Sequence, residues 1–238
     1  MKIQGERMRK SGNMQEIERF FKQDTVTLAK DLLGKLIIVK KNDEILGGYI
    51  VETEAYLGVA DRACHGFEGK RTPKVEALFG KAGTVYIYTM HTHKMLNIVS
   101  CEEGNPQAVL IRGIEPVINI ERMIENRGKD GILVSNGPGK LTKAMGISDG
   151  FNKCRICEIR KNLSKISKKL TYNSENMDEN VLYIDFENSK IPKNIEVSAR
   201  IGIPNKGTWT KKELRYFVAG NKYVSGMKKT EFKDDCWK

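Results

Sequence analysis

The sequence predicts a mixed α+β fold in a single domain, and two observations favour this over a doubly wound sheet. Candidate strands and helices are interspersed along the 238 residues, and many of the strands are joined by short connections. No internal repeat divides the chain, whose length suffices to bury one large core. No apolar run approaches the roughly 18 residues that a membrane span requires.

The first half of the chain predicts one helix and a hairpin. Asp24 to Leu33 carries an apolar stripe with a capping side chain at its start, and Gly34 can end the helix. Leu36 to Val39 and Ile45 to Leu57 are strand candidates separated by a turn, which is typical of a β-hairpin. Further strands are predicted at Thr84 to Tyr88, Leu96 to Ser100 and Ala108 to Ile114.

The second half predicts two helices and three strands. Glu115 to Asn126 has helical spacing, with Pro116 tolerated in the first turn. Asn136 to Lys140 is a glycine-rich loop, and Leu141 to Met145 begins a short helix. The remaining strand candidates are Val181 to Phe186, Ser198 to Gly202 and Leu214 to Ala219.

Composition changes divide the chain into a domain and its margins. Residues 1–15 form a basic stretch that we expect to be a flexible tail. Because it lacks the apolar core of a secretory signal, we expect a cytoplasmic protein. The domain is predicted over residues 16–228, with a Lys-, Ser- and Asn-rich surface insertion at 159–180 and a C-terminal tail at 229–238.

The charge balance is strongly basic. The 41 Lys and Arg residues outnumber the 30 Asp and Glu residues, which gives a formal net charge of +11. Such a balance favours a polyanionic partner, because each contact with a phosphate releases counterions. A basic surface kept for solubility has the same composition, so charge alone leaves both interpretations open.

The cysteines favour reduced thiols over disulfides or a metal site. There are five, an odd number, and they are widely scattered. Cys154 and Cys157 form one C-x-x-C, but a structural zinc site needs a second pair of ligands at similar spacing. His91 and His93 lie close together without a third ligand nearby. We therefore expect neither a metal nor another cofactor.

The predicted second strand places Glu52, Glu54 and Tyr56 on one face, because side chains alternate along a strand. Two carboxylates so close together seek solvent or a cation. One interpretation is a strand with a solvated face, which leaves the position of Tyr56 between apolar neighbours unexplained. Tyr86 and Tyr88 also share a face, but paired aromatics more often pack a core than stack a ligand.

Arg112 lies inside a strongly apolar stretch, Ala108 to Pro116. A buried arginine must be paired, so this cation and a carboxylate on another inner strand suggest an ion pair that lines a site. The loop Asn136 to Lys140 can present backbone N–H groups and Lys140 to a phosphate. It lacks the spacing of the phosphate loop in nucleotide-binding enzymes.

Taken in order along the chain, these segments resemble the alkyladenine (3-methyladenine) DNA glycosylase family. The VETEAYLG run from Val51 to Gly58 is the most distinctive of them. The matching stretches are Phe20-Phe21, Leu28 to Gly34, Val51 to Gly58, Asp61 to His65, Gly83 to Tyr88, Leu96-Asn97, Val109 to Pro116, Asn136 to Leu141 and Arg200-Ile201-Gly202.

The resemblance implies a compact single domain with a mixed, mainly antiparallel curved β-sheet flanked by helices. It implies a monomeric, metal-independent enzyme that binds double-stranded DNA containing damaged purines. Such an enzyme flips out 3-methyladenine, 7-methylguanine or hypoxanthine and hydrolyses the N-glycosidic bond. No lysine nucleophile is implied, so we expect a monofunctional glycosylase that leaves the abasic site uncut.

The resemblance also implies roles for individual residues. Glu54 matches the base that activates water, and Arg112 matches a residue that helps to hold that water. We further expect Arg112 to keep Glu54 ionised by lowering its pKa. The residues that match the pocket for the extruded base are Tyr56, His65 and Tyr88, which sandwich and hydrogen-bond it, and Asn97, which disfavours normal guanine.

One segment departs from the family pattern. Many members insert a tyrosine into the gap that the flipped base leaves, just after the strand containing Tyr88. Here the corresponding segment, Thr89 to Lys94, is about one residue shorter and has no tyrosine. Met90 or His91 is expected to intercalate instead. Gly139 and Lys140 are the expected contacts to the DNA backbone.

Two other functions remain open at this point. One is a non-catalytic nucleic-acid-binding domain of the same fold, and the other is a hydrolase of free nucleosides. Glu54 and Arg112 discriminate against the first, because a binding module needs neither a buried carboxylate nor its water. The basic balance argues against the second, since a small substrate has no use for a long basic surface.

Overall fold

One β-sheet of nine strands organises the protein, whose computed structural model describes residues 17–41, 44–159 and 181–238. The strands are β1 (Leu36–Lys41), β2 (Glu44–Tyr56), β3 (Val85–Met90), β4 (His93–Val99), β5 (Ala108–Ile118), β6 (Cys157–Ile159), β7 (Val181–Asp185), β8 (Ile195–Ser198) and β9 (Arg215–Val218).

The strand order is β3-β4-β5-β2-β1-β7-β6, with β9 paired to β2 and β8 paired to β9. Every pair is antiparallel except β6 with β7, which is parallel. The sheet curves into a half-barrel. The predicted α+β class, with a mixed and mainly antiparallel curved sheet in one compact domain, is confirmed.

Within the described ranges, residues 17–21 are helical, and α1 (Thr25–Asp31), α2 (Ile120–Arg127) and α3 (Pro138–Ala144) lie against this sheet. The predicted helix after Asp24 is confirmed, and the Asp24 carboxylate caps it by accepting from the N–H groups of Val26 and Thr27. Side chains from α1, the central strands and α3 bury one continuous core, which includes Leu28, Ile50, Ile111 and Leu141.

The long strand β2 changes partners halfway along its length. Its first part, 44–49, pairs with β1, and residues 52–54 pair with β9, while β5 follows its other edge. At the changeover the ladder with β5 shifts twice, first by the extra residue Val51 in β2 and then by Arg112 in β5. Such bulges re-aim a side chain, and this one places Arg112 opposite Glu52 and Glu54.

The predicted helix from Glu115 to Asn126 is wrong over its first third. Strand β5 continues to Ile118, and helix α2 begins only at Ile120. Pro116 is tolerated in the strand because it lies at a register shift opposite Gly48, where a ladder hydrogen bond is not required. Long-range pairing with β2 therefore overrides the local helical spacing.

Two further boundaries differ from expectation. The predicted strand Ser198 to Gly202 is wrong beyond Ser198, where β8 ends. The chain turns away there because Arg200 binds Asp61 and the amide of Ile201 binds Glu54. The expected loop at Asn136 to Lys140 is also shorter, because α3 already begins at Pro138, a residue suited to the first helical position.

The margins of the domain are described in part. The predicted N-terminal tail lies outside the described residues, as does the predicted insertion at 159–180 except for Ile159, which ends β6. Residues 229–238, set apart as a tail, pack on the domain, where Cys236 is buried and the Trp237 indole donates to Glu115 at 3.0 Å. No helix of the described ranges is long and apolar enough to cross a membrane.

The hairpin between β3 and β4 closes in a tight two-residue turn. Met90 pairs with His93, and the two residues between them, His91 and Thr92, have φ of 47° and 69°. Turns of this kind favour asparagine and glycine, because a β-branched residue is strained at positive φ. The tip of this hairpin is therefore held in an unfavourable backbone conformation.

Replacing Thr92 by glycine should stabilise the protein by about 0.5–1 kcal/mol, because the strain at positive φ is relieved. In a chain of this size that corresponds to a rise in Tm of about 2 °C, measurable by thermal denaturation. Thr92→Ala is the matched control, since it removes the hydroxyl and methyl groups but keeps Cβ. Equal melting of the two variants would show that Cβ strain is absent.

Candidate active site

The Glu54 carboxylate lies on β2 with no exposed surface and accepts from three donors. The amide of Ile201 donates to Oε1 at 2.7 Å, and Nη1 of Arg112 lies 3.1 Å from the same oxygen. The Tyr56 hydroxyl donates to Oε2 at 2.9 Å. A carboxylate has about four acceptor positions, so Oε2 can accept a further donor such as water.

Glu52 lies beside Glu54 on the same face of β2 and is equally buried. The interpretation of this strand face as solvated is therefore wrong. Glu52 Oε1 accepts from Nε of Arg112 at 2.8 Å, Nε of Arg215 at 2.6 Å and the Ser225 hydroxyl at 2.7 Å. Its Oε2 accepts from the amide of Ser225 at 2.7 Å. Both carboxylates thus pair with cations and do not face solvent.

Arg112 bridges the two carboxylates, as expected of a buried arginine that must be paired. Its Nε contacts Glu52 and its Nη1 contacts Glu54. Together with Arg215 it balances the two anions, so the cluster combines two positive and two negative charges out of contact with water. The predicted ion pair between inner strands is confirmed, although the sequence did not indicate that Glu52 shares it.

Arg112 was expected to lower the pKa of Glu54, and the effect of burial outweighs this. Burial raises the pKa of Glu54 by more than Arg112, the Ile201 amide and the Tyr56 hydroxyl lower it, so this pKa lies above its ordinary value. Burial acts on Glu52 in the same direction, but Arg112, Arg215 and the two Ser225 donors together outweigh it, so the pKa of Glu52 is lowered. Glu54 is the carboxylate that more readily takes up a proton.

A cavity of about 260 Å³ lies beside the donors that surround Glu54. Tyr56, Arg112 and Ile201, the three residues that donate to Glu54, all line this cavity. The remaining wall is largely aromatic and apolar, and it includes His65, Leu78, Tyr86, Tyr88, Met90, Met95, Asn97, Leu110 and Pro138. The structure thus brings together all four residues expected in a base pocket.

The position of Tyr56 is set from behind by a second buried ion pair. Arg200 donates to Asp61 through Nη1 at 2.6 Å and Nη2 at 2.9 Å, and both side chains are buried. The Arg200 guanidinium lies 4.6 Å from the centre of the Tyr56 ring. This pair also holds the loop whose next residue, Ile201, donates to Glu54. Sequence reasoning assigned no role to Asp61 or Arg200, because their contact depends on a loop return.

His65 and two tyrosines form the opposite wall. Nδ1 of His65 lies 2.7 Å from the Tyr86 hydroxyl, and its ring meets Tyr88 edge-on at 4.6 Å between centroids. Desolvation by the surrounding protein, with smaller effects from Lys70 and Lys206, lowers the pKa of His65. The imidazole is therefore neutral at pH 7. Tyr86 packs in an apolar core cluster with Leu78 and Phe79, as interpreted, and its hydroxyl also meets His65 at the cavity wall.

Asn97 lies buried on β4 at the cavity wall. Its amide nitrogen donates to the backbone oxygens of Tyr86 at 3.2 Å and Met95 at 3.1 Å. Because both partners are acceptors, the amide oxygen must face away from them. The side chain is thus fixed in orientation rather than free to adapt to what enters the cavity.

The β3–β4 hairpin stands at the mouth of the cavity. Met90 lines it and is 45% exposed, while His91 lies beyond Met90 at the exposed turn. A groove of about 1020 Å³ extends from this mouth, and its four cationic side chains (Arg62, Lys70, Lys74 and Lys206) outnumber its two carboxylates (Glu68 and Asp149). An apolar tip and a basic groove therefore adjoin the same opening.

Gly139 and Lys140, the expected DNA contacts, have different surroundings. Gly139 is buried against the hairpin, where a Cβ would lie 2.6 Å from that of His93. Lys140 folds back to donate to the Asn136 side chain at 2.7 Å, and partial burial lowers its pKa. Gly139 thus permits close packing of helix α3 under the hairpin.

Among the residues that the structure describes, no three His, Cys, Asp or Glu side chains are grouped as metal ligands would be. The cysteines Cys64, Cys101 and Cys236 carry free thiols. The acid–base groups that line or back the cavity include Glu54, His65, Cys64 and the tyrosines.

Comparison with known proteins agrees with this architecture. A family profile described as methylpurine-DNA glycosylase (MPG) matches residues 19–222. A Staphylococcus saprophyticus protein named "Putative 3-methyladenine DNA glycosylase" is 50% identical over 214 residues, which cover 90% of this chain and 95% of that one. A protein of the same name from Staphylococcus aureus is 47% identical over 92% of this chain and 99% of its own. With the profile covering most of the domain and relatives aligned over nearly their whole length, the chain belongs to the methylpurine-DNA glycosylase family.

Proposed function

We propose that this protein is a monofunctional DNA glycosylase of base-excision repair that hydrolyses the N-glycosidic bond of alkylated purines in double-stranded DNA. The observation that carries the proposal is the fully buried Glu54 carboxylate behind an aromatic cavity whose wall holds its three donors. We propose 3-methyladenine and 7-methylguanine as substrates and hypoxanthine as a further candidate. We expect the protein to act as a monomer, in the cytoplasm and on the nucleoid.

The cavity suits a purine that has left the duplex. Extrusion costs a few kcal/mol, and less for a damaged base. Stacking on Tyr56 and Tyr88 can offset about 1–3 kcal/mol of that cost. An alkylated purine carries positive charge, which the tyrosine faces attract and which a neutral His65 does not repel. The anionic charge of Glu54 lies behind the same cavity.

Hydrolysis follows from the position of Glu54. Its carboxylate takes a proton from a water that Arg112 helps to hold, and the water oxygen attacks C1′ of the sugar. The N-glycosidic bond breaks, and its electron pair leaves with the purine. The positive charge that alkylation placed on the purine ring is thereby neutralised. The carboxylate also stabilises the positive charge that develops on the sugar. An abasic site remains, with the strand uncut.

The basic groove beside the cavity suits the DNA backbone. Arg62, Lys70, Lys74 and Lys206 place positive charge along it, in keeping with the net charge of +11. Met90 is the residue we propose to occupy the gap left by the flipped base, because it is apolar, exposed and lines the cavity mouth. Lys140 is retained as a proposed phosphate contact.

The two alternative functions fit these features less well. A buried carboxylate with a raised pKa costs stability, and a non-catalytic binding domain gains nothing in return. A hydrolase of free nucleosides needs a cavity for the base and sugar but not a basic groove that leads away from it. Both arguments favour an enzyme that acts on polymeric DNA.

Glu54→Gln should lower the excision rate at least about a hundredfold, because the amide cannot take the proton from water. Binding to a duplex with a non-hydrolysable abasic analogue should change little. The assay incubates a duplex bearing one alkylated adenine or one hypoxanthine, then cuts abasic sites with alkali. Glu115→Gln, a carboxylate change elsewhere on the sheet, is the matched control.

An excision rate for Glu54→Gln close to that of wild type would exclude Glu54 as the base. If the wild-type protein cuts neither duplex after alkali treatment, the glycosylase proposal itself fails.

The excision rate should fall on the acid side at a pH above the ordinary glutamate pKa of about 4.3. Burial raises the pKa of Glu54 by more than Arg112 and its other donors lower it. Since the base acts as a carboxylate, activity is present above this pKa and is lost as the pH drops through it. Single-turnover excision rates measured across pH give the midpoint of this loss. The residual activity of Glu54→Gln should lack this pH dependence.

Met90→Ala should lower the excision rate about tenfold, because the flipped state loses the side chain that fills the gap. His91→Ala should have a smaller effect, since His91 lies beyond the cavity mouth. The fluorescence of 2-aminopurine beside the lesion reports flipping directly. A larger loss for His91→Ala than for Met90→Ala would assign the gap to His91.

A further inference from the structure

Glu52 has the denser set of contacts in the buried cluster, although it is Glu54 whose three donor residues line the cavity. Four donors reach Glu52, at 2.6 to 2.8 Å, from β5, β9 and the segment that holds Ser225. The nearest Arg112 atom to Glu54 is more distant, at 3.1 Å. The carboxylate that is not proposed to react is thus held by more and shorter contacts than the one that is.

We infer that Glu52, held by Arg215 and Ser225, is a positioning residue that aims Arg112 at Glu54 and limits how much of the Arg112 charge reaches it. This inference rests on the proposed role of Glu54 as the base. Glu52 itself contacts no substrate. It acts only through the guanidinium that it shares with Glu54.

The first step of the argument is geometric. A guanidinium presents its donors in a rigid fork, so fixing some of them determines the direction of the others. Glu52 binds Nε of Arg112, and the Ser225 hydroxyl accepts from Nη2 at 3.3 Å. Nη1 is the nitrogen directed at Glu54. The bulge at Arg112 brings the fork between the two carboxylates in the first place.

The second step concerns charge. Glu52 would neutralise Arg112 almost completely if no other cation were present. Arg215 prevents this, because its Nε binds the same Glu52 oxygen at 2.6 Å while its other nitrogens donate to Ser198 and to the Ser225 carbonyl. Part of the Arg112 charge therefore remains for Glu54. Removing Glu52 or Arg215 should shift that share in opposite directions.

Other charged and titratable groups near Glu54 are unaltered by changes at these two positions. Tyr56 donates to it from β2, Tyr88 faces it from β3, and Arg200 lies behind Tyr56. Among the described residues, the charged and titratable groups near Glu54 include Glu52, Tyr56, Tyr88, Arg112, Arg200 and Arg215, and His65, Arg62 and Lys206 line the adjoining cavity.

The test compares the acid limbs of the excision rate, defined by the pH at which the single-turnover rate falls to half. Glu52→Gln leaves two cations facing Glu54 alone, so its acid limb should move to lower pH by about one unit. Arg215→Met removes a cation and keeps the apolar length of the side chain, so its limb should move to higher pH by about the same amount. Purely structural damage lowers the rates of both without opposite shifts.

Two variants separate the effect of the Arg215 charge from the effect of the Arg112 orientation. Arg215→Lys keeps the positive charge, and its acid limb should stay close to that of wild type. Ser225→Ala removes the hydroxyl that joins Glu52 to Arg112 without changing charge, so the plateau rate should fall about tenfold with the limb unshifted. Glu115→Gln should change neither quantity. An unchanged plateau in Ser225→Ala would contradict the aiming role.

A second measurement does not depend on turnover. The ¹³C shift of the Glu54 carboxyl carbon, assigned by its disappearance in Glu54→Gln, titrates with the same pKa. Thermal melts identify any variant that fails to fold. If Glu52→Gln or Arg215→Met fails to fold, the results for Ser225→Ala and Arg215→Lys decide whether Glu52 positions Arg112. Shifts of equal sign in Glu52→Gln and Arg215→Met, or no shift in either, overturn the inference. A wild-type protein without excision activity would defeat the proposed function, while the ¹³C titration would still test Glu52.

Discussion

Glu52 and Glu54 point the same way from β2 into the protein interior, and much of the surrounding structure supplies the charges that this requires. Two carboxylates cannot remain ionised side by side in the interior without cations and hydrogen-bond donors. Arg112 arrives from β5 through a bulge, and Arg215 arrives from β9 because β2 has left β1 by that point. The division of the sheet and the charge cluster therefore depend on each other.

The cavity is a consequence of the same arrangement. Ile201 has to approach Glu54 to donate its amide, so the chain leaves β8 early and forms one wall. Arg200 follows it inward, pairs with Asp61 and supports the ring of Tyr56. Three polar contacts thus fix the loop that holds Arg200 and Ile201. Burying these charges costs stability but produces a rigid site, as is common in active sites.

Local patterns predicted much of this and failed where distant partners decide. Alternation along β2 correctly placed Glu52, Glu54 and Tyr56 on one face, but solvent and cations remained equal explanations. Helical spacing after Glu115 was misleading, because the residues there complete the ladder with β2. Pairing across the sheet outweighs a propensity that amounts to a few tenths of a kcal/mol per residue.

The sequence by itself determined the α+β class, the helix and hairpin at its start, the buried Arg112 and, through its resemblance, the residues of the cavity. These depend on periodicity, capping and motifs, which are local properties of the chain. Tertiary structure alone decided that Glu54 is buried with a raised pKa and that Glu52 takes the larger share of Arg112. Such facts depend on desolvation and on charges brought from distant strands, and neither quantity exists until the chain has folded.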